Sequence, residues 1–381
     1  MSAAPDSPSL VISQLTAPGR GAVATIAMHG NLRSLDQYFR AVNGKPANEQ
    51  PLDRICYGQW GTEAAEDVVF IRIAVNLGEL HCHGGTAAVS RILADLRDVG
   101  GVTVSADEWM RREHAGLAGE LIAVVPKATT TRTARLIWAQ IDLLPDAIQR
   151  LTAADWPQRR EQLKGMLSWR DFGLHLTTPW RVVLCGRPNV GKSSLINALV
   201  GFERSVVYDQ PGTTRDIVTV ETAFDGWPVE LSDTAGLRVT DDALESEGVR
   251  RARERLKNAD AIVVVVDGTT GVTDEDRRVL EEFPDALAIW NKCDVSRPPV
   301  AIENPEEISL LPVSARTGEG LDQLMSSLVD TLVPETPGDE QAFPVSSRLV
   351  VTLERLHEAA IGEHAGDWQE LMQSLVGDTT P

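Results

Sequence analysis

Residues 181–201 read RVVLCGRPNVGKSSLINALVG, an apolar run, a glycine-rich turn and a second apolar stretch with helical spacing, and this order decides the fold. The first run is short and almost wholly apolar, as a strand buried on both faces must be. Gly186 to Ser193 then satisfies G-x-x-x-x-G-K-[ST] between a strand and a helix, the setting that gives the pattern its physical meaning. Gly186 and Gly191 let the backbone curl so that the N–H groups of Asn189, Val190, Lys192, Ser193 and Ser194 can face phosphates at a helix N-terminus. Lys192 supplies charge for the β- and γ-oxygens, and the Ser193 hydroxyl is a ligand for Mg²⁺.

Working outward, a βα alternation runs from about Trp180 to Leu332, and its polar punctuation falls at the ends of apolar runs. WNKCDV follows ALAIW, and Asn291, Lys292 and Asp294 match the N-K-x-D guanine signature. A carboxylate at Asp294 accepts two hydrogen bonds from guanine N1–H and the 2-amino group, whereas adenine would leave it unpaired. The sequence therefore predicts GTP and GDP as ligands. Ser314, Ala315 and Arg316, at and just after the end of ISLLPVSA, are similar to the second base loop of guanine-nucleotide hydrolases, and that likeness implies a backbone N–H at the guanine O6. DTAG begins at Asp233 after VELS, placing Asp233 in the Mg²⁺ shell and the Gly236 N–H at the γ-phosphate. Upstream, GTTRD supplies Thr213 and Thr214, with Thr214 as the expected Mg²⁺ ligand. IVTVETAF and WPVEL flank Asp225-Gly226, a hairpin signal that adds one antiparallel strand to an otherwise parallel sheet.

The remainder of the chain divides by pattern. LVISQL, AVATIAM and VVFIRIAV read as strands, and TAAVSRILADLRDV as an amphipathic helix entered through HCHGG, where His81, Cys82 and His83 read as a strand end because no second zinc-ligand cluster accompanies them. From Ser105 to Thr178 helical periodicity takes over, with Leu136, Ile137, Ile141, Leu144, Ile148 and Leu151 recurring three and four apart. PETPGDEQAFP reads as a linker, and Ser346 to Val376 is helical again. The predicted fold is an α/β P-loop GTPase domain with a mixed six-stranded sheet, inserted in a helical domain and preceded by a small α+β domain. The expected boundaries are 1–104, then 105–178 with 338–381 for the helical domain, and 179–337 for the nucleotide domain.

The bulk properties exclude several classes. The chain has 381 residues, a formal net charge of -19 and four scattered cysteines, which together predict reduced thiols and disfavour unaided binding to a phosphate backbone. No apolar run approaches the ~20 residues of a membrane helix, so a cytoplasmic location without membrane attachment is the expectation.

With PNVGKSSLINAL, GTTRD and DTAGLR in hand, the domain resembles the Era, Der and MnmE group of GTPases. TAPGRGAVATIAMHG, the HGG turn and the helical flanks are similar to the MnmE family, also called TrmE, within it. The resemblance implies GTP hydrolysis (EC 3.6.5) in tRNA wobble-uridine modification, a homodimer through the nucleotide domains, a folate-binding-like N-terminal domain for 5-formyltetrahydrofolate, and tRNA and an MnmG-like flavoprotein as partners. It also implies K⁺ coordinated by Asn189 and a catalytic Glu245 that orients water, with Glu247 as its neighbour. Leu237 stands where a Ras-like mechanism needs glutamine. The chain departs from the family in three ways. Its last residues, SLVGDTTP, contain no C-[IL]-G-[KR] motif, ADEWMRREHAGLAGE retains only Glu108 and Arg112 of a family signature, and the helical region is short. The alternative these departures leave is a reduced form, a regulatory GTPase that binds a protein or ribosomal partner without modifying tRNA.

Overall fold

A computed structural model describes residues 10–19, 21–61, 65–114, 116–202, 219–233, 254–298 and 309–376. The chain forms two compact units, Met1–Ala123 and Val124–Pro381.

In the first unit, seven strands make one sheet: β1 (Leu10–Gln14), β2 (Val23–Gly30), β3 (Phe39–Ala41), β4 (Ile55–Trp60), β5 (Glu66–Ala74), β6 (Leu77–His83) and β7 (Gly101–Thr103). Their order is β3-β4-β5-β6-β2-β1-β7, antiparallel except where β7 lies parallel to β1. Strict alternation places Cys56, Gly58 and Trp60 of β4 inward and leaves Ile55 and Tyr57 outward, as period-two geometry requires. Helix α1 (Thr86–Asp98) covers the inner face with Val89, Ile92 and Leu96. Its Asp95 accepts the indole N–H of buried Trp60 at 2.9 Å, so the largest core side chain keeps its polar atom satisfied. Helices α2 (Ala106–Glu113) and α3 (Gly116–Val124) follow. The sequence pattern identifies β1, β2, β5 and α1, while β3, β4 and β7 lack a strand signal strong enough to be read from it.

In the second unit, helix α4 (Thr131–Ala153) buries Thr133, Ile137, Gln140, Leu144, Ala147, Ile148 and Leu151, one stripe at helical spacing. Helix α5 (Trp156–Leu167) starts at a capping box between Asp155 and Gln158 that satisfies two orphan N–H groups, and α6 (Arg170–His175) follows. More than 170 residues later, α10 (Ser347–Gly362) packs on α5 and α11 (Ala365–Val376) on α10; α7, α8 and α9 belong to the inserted nucleotide domain. Gln140 ties the halves together: its Nε2 donates to Gln341 O at 3.1 Å, and its Oε1 accepts from Phe343 N at 3.0 Å. Arg160 donates to Ala360 O, and Arg159 lies 4.4 Å from the ring centres of both Trp156 and Trp368. The helical domain is thus assembled from both flanks of the insertion.

The inserted sheet contains β8 (Trp180–Cys185), β9 (Thr219–Phe224), β10 (Trp227–Asp233), β11 (Ala261–Asp267), β12 (Leu287–Asn291) and β13 (Leu311–Val313), in the order β13-β12-β11-β8-β10-β9. Only β9 runs antiparallel. Asp225 and Gly226 both take positive φ, 47° and 76°, the two-residue turn that matches strand twist. Thr130 and Arg132 at the start of α4 hold this turn, through Thr130 Oγ1 to Gly226 O at 2.7 Å and Arg132 Nη1 to Asp225 O at 2.8 Å. Helices α7 (Lys192–Phe202), α8 (Asp274–Glu282) and α9 (Leu321–Leu332) flank the sheet, and Leu195, Ile196, Leu199, Leu324 and Leu328 join its apolar face. All four cysteines are buried free thiols. Among the described residues no helix is long and apolar enough to cross a membrane.

Candidate functional site

The parallel arrangement delivers the carboxyl ends of β8, β10, β11, β12 and β13 to one edge of the sheet, where an open α/β sheet forms its crevice. The loop after β8 carries the phosphate signature. Gly186 has φ 138°, and a Cβ there would lie 2.5 Å from Val265 O; Gly191 has φ 98°, and a Cβ would lie 2.5 Å from Asn291 Nδ2. Both positions therefore need glycine for space as well as conformation.

Within this loop Lys192 is buried and donates from Nζ to Gly186 O at 2.8 Å and Arg187 O at 3.0 Å, with Asp233 Oδ1 at 3.9 Å. The ammonium is held over the loop by the loop's own carbonyls. Ser193 Oγ donates to Asp233 Oδ2 at 2.8 Å, which brings the first turn of α7 against the end of β10. A hydroxyl and a carboxylate at that spacing are hard oxygen donors and fit Mg²⁺. Asn189 is exposed with φ 64°, and Ser194 is exposed one residue beyond Ser193. Arg187 anchors the loop sideways, donating to Thr270 Oγ1 at 2.7 Å and lying 3.4 Å from the buried Asp276 carboxylate at the start of α8.

The base end is tied to the phosphate end by Asn291, which is 1% exposed. Its Nδ2 donates to Val190 O at 2.8 Å and its Oδ1 accepts from Ala315 N at 3.3 Å, so one amide joins the loops after β8, β12 and β13. Ser314 Oγ donates to Asp294 Oδ1 at 2.6 Å. Arg316 Nη2 lies 2.5 Å from Asp294 Oδ2 as an ion pair on the other oxygen. The Ser314 hydroxyl pulls the Asp294 carboxyl below its usual value against the opposing effect of burial, and Arg316 adds to the lowering. An ionised carboxylate, with two acceptor lone pairs on each oxygen, is the kind of group that the paired N–H donors of guanine require.

Of the residues the sequence singled out, Gly186, Asn189, Val190, Gly191, Lys192, Ser193, Ser194, Asp233, Asn291, Lys292, Asp294, Ser314, Ala315 and Arg316 lie on these adjoining loops. Thr213, Thr214, Gly236 and Glu245 lie outside the described residues. Sequence reasoning passed over Asp267, whose Oδ2 accepts from Lys292 Nζ at 2.6 Å, and Arg187 with Asp276. The available signal was positional: Asp267 ends the apolar run AIVVVVD as Asp233 ends its own strand. His81 and His83 pair with Glu79 and Glu66, and no group of three or more His, Cys, Asp or Glu residues suited to a metal ion occurs among the described residues.

Comparison with known proteins gives three results. The family model described as 50S ribosome-binding GTPase matches residues 181–292. The tRNA modification GTPase MnmE of Chromobacterium violaceum is 30% identical over 419 aligned positions, covering 96% of this chain and 90% of that protein. MnmE of Nitrosomonas eutropha is likewise 30% identical and 89% covered. Among solved structures, Aquifex aeolicus Era bound to GDP·AlF4⁻ is 27% identical with a TM-score of 0.33, covering 47% of this chain and 66% of that one.

Proposed function

Because the chain belongs to the MnmE family of tRNA modification GTPases, a family of GTP hydrolases, we propose that its GTP hydrolysis serves modification of the tRNA wobble uridine. The observation that carries the reading is the convergence of Lys192, Ser193, Asp233, Asn291 and Asp294 on one sheet edge, with phosphate and base loops joined through Asn291.

On this reading the amide-lined loop and Lys192 bind the phosphates, and Asp294 selects guanine. Ser193 and Asp233 hold Mg²⁺ together with Thr214. When bound, Mg²⁺ supplies charge neutralisation at the β- and γ-oxygens. Asn189 offers an exposed amide oxygen for K⁺, Gly236 donates its N–H to the γ-phosphate, and Glu245 orients the attacking water. Dimerisation of the nucleotide domains, an MnmG-like flavoprotein and tRNA complete the proposal. The domains proposed are 1–104, 105–178 with 338–381, and 179–337, the first of them folate-binding-like. Glu108 and Arg112 pair with each other at 2.5 Å, so 5-formyltetrahydrofolate is assigned no step.

The test is GTP hydrolysis in KCl against NaCl at matched ionic strength, with gel filtration of the GDP·AlFx complex and a wobble-uridine modification assay using the flavoprotein. K⁺-specific stimulation, dimerisation and modified uridine support the proposal. A K⁺-indifferent monomer without modifying activity overturns it. GTP-dependent co-sedimentation with ribosomes in that case would favour the regulatory alternative, which the family model's description also suggests.

A further inference from the structure

The strand AIVVVVD carries its apolar residues into the sheet and ends on Asp267, a carboxylate 8% exposed at the crevice edge. Three contacts fix it. Thr269 N and Thr269 Oγ1 donate to Oδ1 at 2.9 and 2.7 Å, which sets the rotation of the carboxylate, and Lys292 Nζ donates to Oδ2 at 2.6 Å. The surrounding backbone is tied down as well: Gly268 N donates to Asn291 O at 2.8 Å, and Gly271 N to Asp267 O at 2.9 Å. Burial alone would push the Asp267 carboxyl up, but the hydrogen bonds from Lys292 and Thr269 outweigh it and hold it below the usual carboxylate value.

Lys292 is the less constrained partner. Its φ of 66° lies in the left-handed region that disfavours a side chain, and its stem has four rotatable bonds. Its ammonium also reaches Asn189 O at 3.4 Å, so one charge joins the end of β11, the base loop and the phosphate loop. Without a counter-charge, a lysine ammonium prefers water and its stem samples many rotamers, each of which must be given up when a ligand needs the stem in one place.

We infer that Asp267 is a positioning residue for guanine recognition, acting through Lys292, whose stem it holds in place along the base. The inference rests on the reading of Asn291, Lys292 and Asp294 as the base motif. It extends that motif by a residue 25 positions upstream and on a different strand. It also separates two roles of charge at the base end: Asp294 meets the ligand, whereas Asp267 acts on it through Lys292.

The experiment is a double-mutant cycle on the full chain with Asp267→Asn, Lys292→Met and the pair, reading mant-GDP affinity and the kinetic constants for GTP. Asp267→Asn removes the charge that assists this part-buried hydrogen bond and leaves one acceptor oxygen to serve both Thr269 and Lys292, so GDP affinity should weaken about tenfold and KM for GTP should rise in parallel, with the loss absent from kcat. In the Lys292→Met background the same change should add nothing. Asp267→Glu should recover part of the affinity. Unchanged affinity in Asp267→Asn, or an equal loss with and without Lys292, overturns the inference. Should Asp267→Asn not fold, Thr269→Val frees the carboxylate more gently, and a two- to threefold loss confined to KM is expected, its absence being equally decisive. Wild-type protein that fails to prefer GTP over ATP would instead sink the base-motif reading, a result distinguishable from either outcome.

Discussion

The two sheets of this chain use their strands in opposite ways. In the nucleotide domain β11 is buried along nearly its whole length, so its side chains are spent on the core and only its last residue, Asp267, meets the crevice. The same holds for β10 and Asp233, and for β12 and Asn291. In the N-terminal unit the strands alternate, and the outward residues of β4, Ile55 and Tyr57, lie on the sheet's face. A parallel sheet covered on both faces concentrates polar chemistry at strand ends, in short stretches of sequence, whereas an antiparallel sheet spreads its exposed residues over a surface. The first arrangement produces motifs; the second produces only a period.

That contrast can be broken by perturbing each sheet in turn. The largest effect is expected from Trp60→Ala, which empties the N-terminal core and should cost about 3–5 kcal/mol of that unit's stability by chemical unfolding. GTP hydrolysis measured before the transition should persist, and its loss would show that the two sheets do not divide stability from chemistry as argued. Lys192→Ala reverses the test: hydrolysis should fall roughly 10²–10³-fold with the unfolding midpoint of the N-terminal unit unchanged. Next comes Asp294→Asn, for which competition between GTP and ATP should show the guanine preference reduced roughly 10²-fold. An undiminished preference would remove Asp294 from base recognition.

Smaller effects sharpen the picture. Gln140→Leu leaves the buried Phe343 N–H without its acceptor and should destabilise the helical domain by about 1–3 kcal/mol in urea titration. The mildest test is pH. Asp267 and Asp294 both titrate below their usual value in the folded protein. The stability each contributes is fully present above the unfolded carboxylate value near pH ~4 and is lost as the pH falls through the folded value. Stability of the nucleotide domain should therefore be insensitive to these groups between pH 5 and 8 by calorimetry, on the order of the unshifted baseline. A loss in that window that disappears on Asp267→Asn or Asp294→Asn would mean that the substituted carboxylate is not held as described.

How much was legible follows from the same contrast. The mixed six-stranded sheet, its Asp225-Gly226 hairpin and the loops carrying Lys192, Ser193, Asp233, Asn291 and Asp294 could be read because each sits beside a long apolar run. The strands Phe39–Ala41 and Gly101–Thr103 are three residues long, too short for a period to register. Ile55–Trp60 alternates, yet Gly58 and Gln59 dilute its strand signal. Asp267 and Gln140 escaped for a different reason. Their partners lie 25 and about 200 residues away, so their value is created by packing: Asp267 shows locally only its place at the end of an apolar run, and Gln140 shows nothing. A buried glutamine in an apolar stripe looks like an interruption until Gln341 and Phe343 are placed beside it.

The helical domain has a consequence for biosynthesis. Its first half ends at His175 and its second begins at Ser347, about 170 residues later in the order of synthesis. At about 5–20 residues per second, α4, α5 and α6 leave the ribosome roughly 10–35 s before the helices that complete their core. Through that interval Leu163 and Met166 lack the neighbours that α10 provides, while the nucleotide domain emerges and can fold as a unit. The inserted domain is thus a timer as well as an engine: the bundle cannot close until the machinery it carries has been made.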